Sequence, residues 1–530
     1  MKQNWVAKFI RNHMVSFVLI FVGGLLMHST AVPQPASRSD EQKHAQNPGI
    51  ASASELERAF TKAIARAEQS VVSIARVRRM PPQRVVPENA FFPRINSDRD
   101  NPASVDFIPS EFGSGIIVAP LTGKNDRFIL TNYHVVKGGP AVKQNAPDSK
   151  YRLYVRLANR RGYYAKILAA DPRSDLAVLT IDYAALRLKP EELEPIQLAT
   201  QEKFQKGQMV LALGNPYAQA RDGSASVSWG IISNISRRPK PAGETPDLAT
   251  RKKETIHHYG TLLQVDTRLN LGTSGGALIN LRGELIGITT SLAALDGYEK
   301  SVGYAVPMDR ATRRVVQTLA RGQAVEYGFL GVSPQDISPQ EVDLLPKTHR
   351  RQFAAMAASV HPGAPGARAG LQTGDIILAV DDVPIRSKYE LMREIGQQPP
   401  ESKTKLKVWR QSIRRELELT AKLGKWPVLN HEEIIASNPR FPEWRGLTVD
   451  YPTGHYRYLQ RPYRYHRAVL LTQLKNRTLV GNPRFTPGVF ISHVNGIAVE
   501  TPREFHSAVQ ELTGPVKLRL IGGETITVPE

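Results

Sequence analysis

The chain has 530 residues, 41% of them hydrophobic and 22% charged, and it contains no cysteine. That length allows three or four ordinary domains with sizeable cores, and the composition excludes a bulk membrane protein, a thiol nucleophile, a disulfide framework and cysteine-ligated zinc. The formal net charge of +21 favours acidic partners by long-range attraction, but the basic residues are spread along the chain and form no single nucleic-acid footprint.

The N-terminus begins "MKQNWVAKFIRNH", with Lys2, Lys8 and Arg11, and continues into an uncharged run of 14 residues from Met14 to Met27. A spanning helix needs roughly 20 apolar residues, so the run is short for an anchor. A basic head, a short apolar stretch and the small-x-small pair Ser29 and Ala31 predict a signal peptide over 1–31. An uncleaved signal anchor is the other reading, and both send the body of the protein out of the cytoplasm. Residues 32–50 are polar and contain prolines, as a flexible linker does.

Next comes "SELERAFTKAIARAEQ", predicted as a helix with Leu56, Phe60 and Ile64 on one face. The strand "SVVSIARV" follows, then a long loop from Arg78 to Glu111, of the kind that is functional or disordered. From "GSGIIVA" to "VGYAVP" many short apolar strands alternate with turn residues and no helices intervene, which predicts a β-barrel or sandwich. "MDRATRRVVQTLARG" closes this region as a helix with Gly322 as its stop.

The last 200 or so residues look duplicated. "YGFLGVSPQ" is echoed by "WRGLTVDYP", and "GDIILAVDDVPIRSKYELMREIGQ" by "GVFISHVNGIAVETPREFHSAVQEL". The stretch "GKWPVLNHEEIIASNPRFPEW" reads as a linker between the copies.

The chemistry concentrates at "LNLGTSGG", Leu269 to Gly276. Alone, this is a glycine-rich turn between strands. As a site it would make Ser274 a nucleophile, and a serine hydroxyl then needs a histidine base, a carboxylate to orient that base, and backbone N–H donors for the oxyanion. "LTNYHVV" supplies His134 at a strand end, and "DPRSDLAVLTID" supplies Asp175 at a strand start. The order His, Asp, Ser within one β-rich region is a known order for this constellation.

Together, "GSGIIVA…FILTNYHVV", "DPRSDLAVLTI", "LNLGTSGGALINLRGELIGITT" and "VGYAVP" closely resemble the HtrA/Deg family of trypsin-like serine proteases, and the two C-terminal copies resemble that family's PDZ domains. The resemblance implies a mainly β chain: a chymotrypsin-like double β-barrel over 51–323, an α+β PDZ domain over 324–426, and a linker with a divergent α+β PDZ-like domain over 427–530. It implies His134 as general base, Asp175 as its orienting carboxylate, Ser274 as nucleophile and the N–H groups of Gly272 and Ser274 as oxyanion hole. Thr290, Ser291 and Leu292 would pair with substrate backbone. "NPYAQARDGSAS" and "SLAALDGYEKS" match regulatory loops, and the Arg78 to Glu111 loop with Phe91 and Phe92 matches a variable loop. The implied activity is periplasmic endoproteolysis of unfolded or damaged proteins, without a cofactor or metal, by a homo-oligomer such as a trimer or its multiples. Nucleic acid is not an expected partner. A catalytically weak PDZ scaffold is the alternative.

The family usually has asparagine at the position of Thr273 and proline at that of Leu271. Oxyanion donors are main-chain groups, so the site is expected to stay competent. No acidic residue before the nucleophile fits a pocket base. Leu269, Leu271 and Leu292 would line it and favour small or medium apolar P1 side chains, with Asp266 structural. In the first C-terminal copy, Tyr327, Gly328, Phe329, Leu330 and Gly331 fit the loop that holds a peptide's terminal carboxylate, and the peptide would lie against the helix around Tyr389 to Ile395. The second copy keeps one glycine of that pattern and carries the insertion "YPTGHYRYLQRPYRYHR", read as an exposed basic arm.

Overall fold

The computed structural model describes residues 48–78, 101–104, 107, 109, 111–119, 126–137, 151–186, 188–201, 203–215, 224–238, 255–290, 302–343, 345, 353–428, 431–457 and 465–530. The expected signal peptide, Phe91, Phe92, Ser291, Leu292 and nearly all of the two regulatory loops lie outside the described residues. The chain divides into a short unit ending at Arg58 and a large unit, Ala59–Glu530. The helix Pro48–Ala67 crosses that boundary. Phe60 and Ile64 pack against the main core as expected, whereas Leu56 is exposed. Among the described residues no helix is long and apolar enough to cross a membrane.

Twelve strands form the N-terminal region described: β1 (Val71–Arg78), β2 (Glu111–Val118), β3 (Phe128–Asn132), β4 (Tyr151–Arg156), β5 (Gly162–Asp171), β6 (Leu176–Ile181), β7 (Met209–Gly214), β8 (Ser226–Arg237), β9 (Leu262–Val265), β10 (Ala277–Ile279), β11 (Leu285–Thr290) and β12 (Gly303–Pro307). The first six pair in the order β5-β4-β1-β2-β3-β6 and close through β5 on β6; the other six close as β10-β11-β12-β9-β8-β7. Closure leaves neither barrel with an open edge in its own sheet. Inward Val, Ile and Leu from alternate positions fill each interior, for example Val72, Ile74 and Ile117 in the first and Val210, Ile232 and Leu263 in the second. The helix Arg310–Ala320, capped by the Asp309 side chain on the Thr312 N–H, lays Val315, Val316 and Leu319 onto the core.

The first C-terminal copy contains β13 (Gly328–Phe329), β14 (Val332–Asp336), β15 (Ala355–Val360), β16 (Ile376–Val380), β17 (Val383–Pro384), β18 (Lys403–Arg410), β19 (Arg415–Lys422) and β20 (Gly424–Lys425). After the two-residue β21 (Ile435–Ala436), the second contains β22 (Leu447–Asp450), β23 (Val469–Leu474), β24 (Phe490–Val494), β25 (Ile497–Ala498), β26 (Val516–Leu520) and β27 (Thr525–Val528). The sheets run β14-β15-β16-β18-β19 with β17 on β16, and β22-β23-β24-β26-β27 with β25 on β24. The longest α-helix described in each copy is Lys388–Gly396 in the first and Pro502–Val509 in the second.

The stretch between the copies is not a free linker. Its β21 pairs antiparallel with β5 of the first barrel, Ser437 N–H continues the pairing onto Leu168 O at 3.1 Å, and Lys137 reaches Glu433 at 2.6 Å. No two-residue strand carries a readable periodicity, which is why the sequence pattern misses it.

Candidate active site

Three loops from both barrels meet at the site. His134 lies in the one-turn helix Tyr133–Lys137 directly after β3, and Asp175 lies in the turn between β5 and β6. His134 Nδ1 is 2.9 Å from both carboxylate oxygens of Asp175, and the His134 backbone N–H donates to Oδ1 at 3.1 Å. Asp175 is buried and sits at φ +52°, an uncommon backbone conformation for a side-chain-bearing residue. Its surroundings hold it there: the Asp175 carbonyl accepts from Tyr133 N–H at 2.9 Å and from Asn132 Nδ2 at 3.0 Å. Thr290 Oγ1 donates to its remaining side, Oδ2, at 3.2 Å.

Burial alone would push the His134 pKa down, but the charge of Asp175 and its hydrogen bond outweigh that and raise it above the usual value of 6.5. His134 Nε2 is buried and has no hydrogen-bond partner among the described residues. With Nδ1 turned to the carboxylate, Nε2 is the atom left to take a proton.

The Ser274 loop is stitched down on every side. Gly275 N–H donates to Thr289 O at 2.8 Å, Thr289 N–H to Gly276 O at 2.9 Å, and Ser114 N–H to Ser274 O at 2.8 Å. Thr289 is adjacent in sequence to Thr290, so one strand, β11, carries both the anchor of the serine loop and the hydroxyl on Asp175. Gly113 links the two sides more directly: a Cβ built there would touch Val135, beside His134, and lie 3.3 Å from Ser274 O. Gly272 has φ +94°, and a Cβ on it would fall 2.5 Å from Asn215 O. Only glycine fits both demands. The Gly272 N–H makes no backbone hydrogen bond among the described residues.

Beside this loop is a cleft of about 190 Å³, lined by Leu213, Val227, Leu269, Arg268, Asn270 and Thr273 among others. Leu269 takes part as expected. Leu271 does not: 63% of it is exposed, because the turn Asn270–Thr273 swings its side chain outward. Thr290, expected to pair with substrate through its backbone, turns its side chain inward, with its hydroxyl on Asp175. Asp266 has the expected structural role, accepting from Ile231 N–H at 2.6 Å.

Several supporting residues gave no sequence signal. His257 is buried, with Nε2 2.9 Å from Ser174 O and Nδ1 2.5 Å from Thr261 Oγ1. Burial lowers its pKa, so it is neutral and its Nε2–H braces the residue before Asp175. Asp171 accepts from the Ser174 N–H at 3.1 Å and from the Tyr327 hydroxyl, and Arg173 lies over the Tyr327 ring at 4.5 Å.

Tyr327, expected in the loop that holds a terminal carboxylate, buries its ring against Arg173 with its hydroxyl on Asp171. The neighbours are also committed. Gly328 pairs with Lys425, the Phe329 ring stacks on Tyr465 at 6.3 Å, and Leu330 is in the core of its copy. What the loop offers is backbone: the N–H groups of Leu330 and Gly331 make no hydrogen bond among the described residues. Among the described residues β14 has a strand partner on one side only, and the helix Lys388–Gly396 packs near it.

Residues 113–288 match the trypsin-like peptidase domain family, and residues 356–410 match the PDZ domain family. The matches and the fold thus define a trypsin-like peptidase domain followed by a PDZ domain. Over 309 residues the chain is 30% identical to the periplasmic serine endoprotease DegP of Salmonella typhimurium, covering 58% of this chain and 56% of that protein. Over 475 residues it is 29% identical to a probable periplasmic serine endoprotease, DegP-like, of Hahella chejuensis, covering 86% and 88%. Among solved structures, an HtrA-type protease AlgW with decapeptide superposes with a TM-score of 0.46 at 26% identity, covering 69% of this chain and 99% of that one. Both relatives are named as serine endoproteases, and the chain is similar to them in sequence. It spans a little over half the length of the Salmonella relative.

Proposed function

We propose that the chain is a serine endopeptidase of the periplasm that cleaves unfolded or damaged proteins. Ser274 Oγ attacks the scissile carbonyl while His134 Nε2 takes its proton, and the developing oxyanion is received by the N–H groups of Gly272 and Ser274. The imidazolium that forms is stabilised by the Asp175 carboxylate. His134 then returns the proton to the leaving amine, and a water repeats the sequence in reverse to release the acyl group. The observation that carries this reading is the His134–Asp175 pair, with its carboxylate buried and held by Thr290 on the strand that also anchors the serine loop. The cleft beside the loop suits a small or medium apolar P1 side chain, with Leu213, Val227 and Leu269 as its apolar walls. The open N–H groups of Leu330 and Gly331 suit a peptide's terminal carboxylate. Export by the N-terminal segment and assembly into trimers complete the proposal.

The test uses a fluorophosphonate probe and unfolded casein, with wild type and Ser274→Ala side by side. Labelling and cleavage by wild type only is the expected result. An unlabelled wild type, even with C-terminal peptides present, would sink the reading and leave a peptide-binding scaffold. The pH profile adds a second check. His134 must be neutral to act as base, and its pKa is raised, so kcat/KM should fall on acidification with a midpoint above the ordinary histidine value of about 6.5.

A further inference from the structure

The residue before the nucleophile is threonine, and its hydroxyl has a specific task. Asn270, Leu271, Gly272 and Thr273 form a four-residue turn closed by Thr273 N–H donating to Asn270 O at 3.1 Å. Thr273 Oγ1 donates to the same carbonyl at 2.7 Å, so the turn is closed twice by one residue. Gly272, third in the turn, has the positive φ of the type II class, and this class sets the direction of the Leu271–Gly272 peptide that carries the oxyanion N–H. Direction alone is not enough, because the frame of the turn must also be fixed in place.

The frame is held from the other side by Ser114, which is fully buried. Its Oγ donates to Gly272 O at 2.7 Å and accepts from Asn215 N–H at 2.8 Å. Its carbonyl accepts from Thr131 Oγ1 at 2.7 Å, which ties it to β3 of the first barrel. Thr289 Oγ1 donates to Thr273 O at 2.6 Å, so the far end of the turn is fixed to β11. We propose that Thr273 and Ser114 are positioning residues: two hydroxyls that clamp the turn from opposite sides and fix where the Gly272 N–H meets the substrate carbonyl. Thr273 thereby closes the turn with its side chain as well as its backbone.

The proposal rests on the serine-protease reading, and the test separates the two. Fluorophosphonate labelling of wild type against Ser274→Ala reports on the reading alone. Thr273→Val then keeps the side chain's shape and removes the hydroxyl. Loss of a whole oxyanion donor costs about 10²–10³ in kcat, so loosening its frame should lower kcat by about tenfold, with KM for a short peptide within about twofold. Thr273→Ser should return kcat to within about threefold of wild type. A peptidyl boronate, whose tetrahedral oxyanion occupies the same hole, should lose affinity for Thr273→Val in parallel with kcat/KM. Ser114→Ala should behave like Thr273→Val. Wild-type kcat in Thr273→Val, a serine variant as slow as the valine one, or a slow valine variant with unchanged boronate affinity would each overturn the proposal. An unlabelled wild type would overturn it together with the reading on which it stands.

Discussion

The two C-terminal copies share a strand order and differ at one loop. In the first, the N–H groups of Leu330 and Gly331 are left open beside the free edge of β14. In the second, the matching loop closes on itself: Leu447 N–H donates to Trp444 O at 2.8 Å, and Trp444 N–H donates back to Leu447 O at 3.0 Å. Asn476 Nδ2 takes the Arg445 carbonyl at 3.0 Å, and the Arg445 guanidinium is drawn onto the carbonyls of Leu512, Gly514 and Pro529. Trp444 packs edge-on against the buried Phe505 of the copy's helix, and Phe441 stacks on His506. A binding loop is therefore a matter of which backbone donors stay unpaired, and a shared topology does not decide it.

The largest contrast comes from blocking each loop. A Cβ on Gly331 would collide with Ala364, and one on Gly446 would fall 2.5 Å from Asn476 N. Gly331→Val should abolish binding of a fluorescent C-terminal peptide, a loss of 100-fold or more on the scale where each tenfold is about 1.4 kcal/mol. Gly446→Val should lower the melting temperature and leave peptide polarisation as in wild type. Equal losses of binding from both would erase the distinction between the copies.

Trp444→Ala comes next. It removes the ring packed on Phe505 and should destabilise the second copy by about 2–4 kcal/mol, read in denaturant unfolding, without creating a second peptide site. New stoichiometric binding at the second copy would show that the ring, rather than the paired backbone, closes the loop.

The smallest effect is expected where the copies meet. Arg368 and Glu500 pair at 2.7 Å across the interface, partly exposed. Glu500→Gln should cost about 1 kcal/mol or less and leave hydrogen exchange around Tyr465 unchanged. Faster exchange there would mean that the rim charges, and not the Tyr465 ring seated on Phe329 and beside Gly424, hold the copies together.

Much of this architecture is legible in the sequence because its determinants are local. Strand alternation and turn residues mark the barrels, and His134, Asp175 and Ser274 each sit in a short motif. The residues that hold them in place are not local. Ser114 and Gly272 are 158 positions apart, and Thr290 and Asp175 are 115 apart, each pair joined by a single hydroxyl on an ordinary strand. A serine or threonine on a strand looks the same whether it faces solvent or a catalytic carboxylate. Leu271 was misplaced for a related reason: hydrophobicity suggested a pocket wall, but the turn that positions Gly272 directs its neighbour outward.

The strand β21 has a mechanical consequence. Because it lies in the sheet of the first barrel, the second copy is fastened to the catalytic region at a point well before its own sheet begins. Followed along the backbone, a tug on the C-terminal end meets the β5 strand, which ends four residues before Asp175, before it meets the first copy. The order of domains along the chain and the order in which the backbone passes a load between them are different, and Asp175 stands close to where that load arrives.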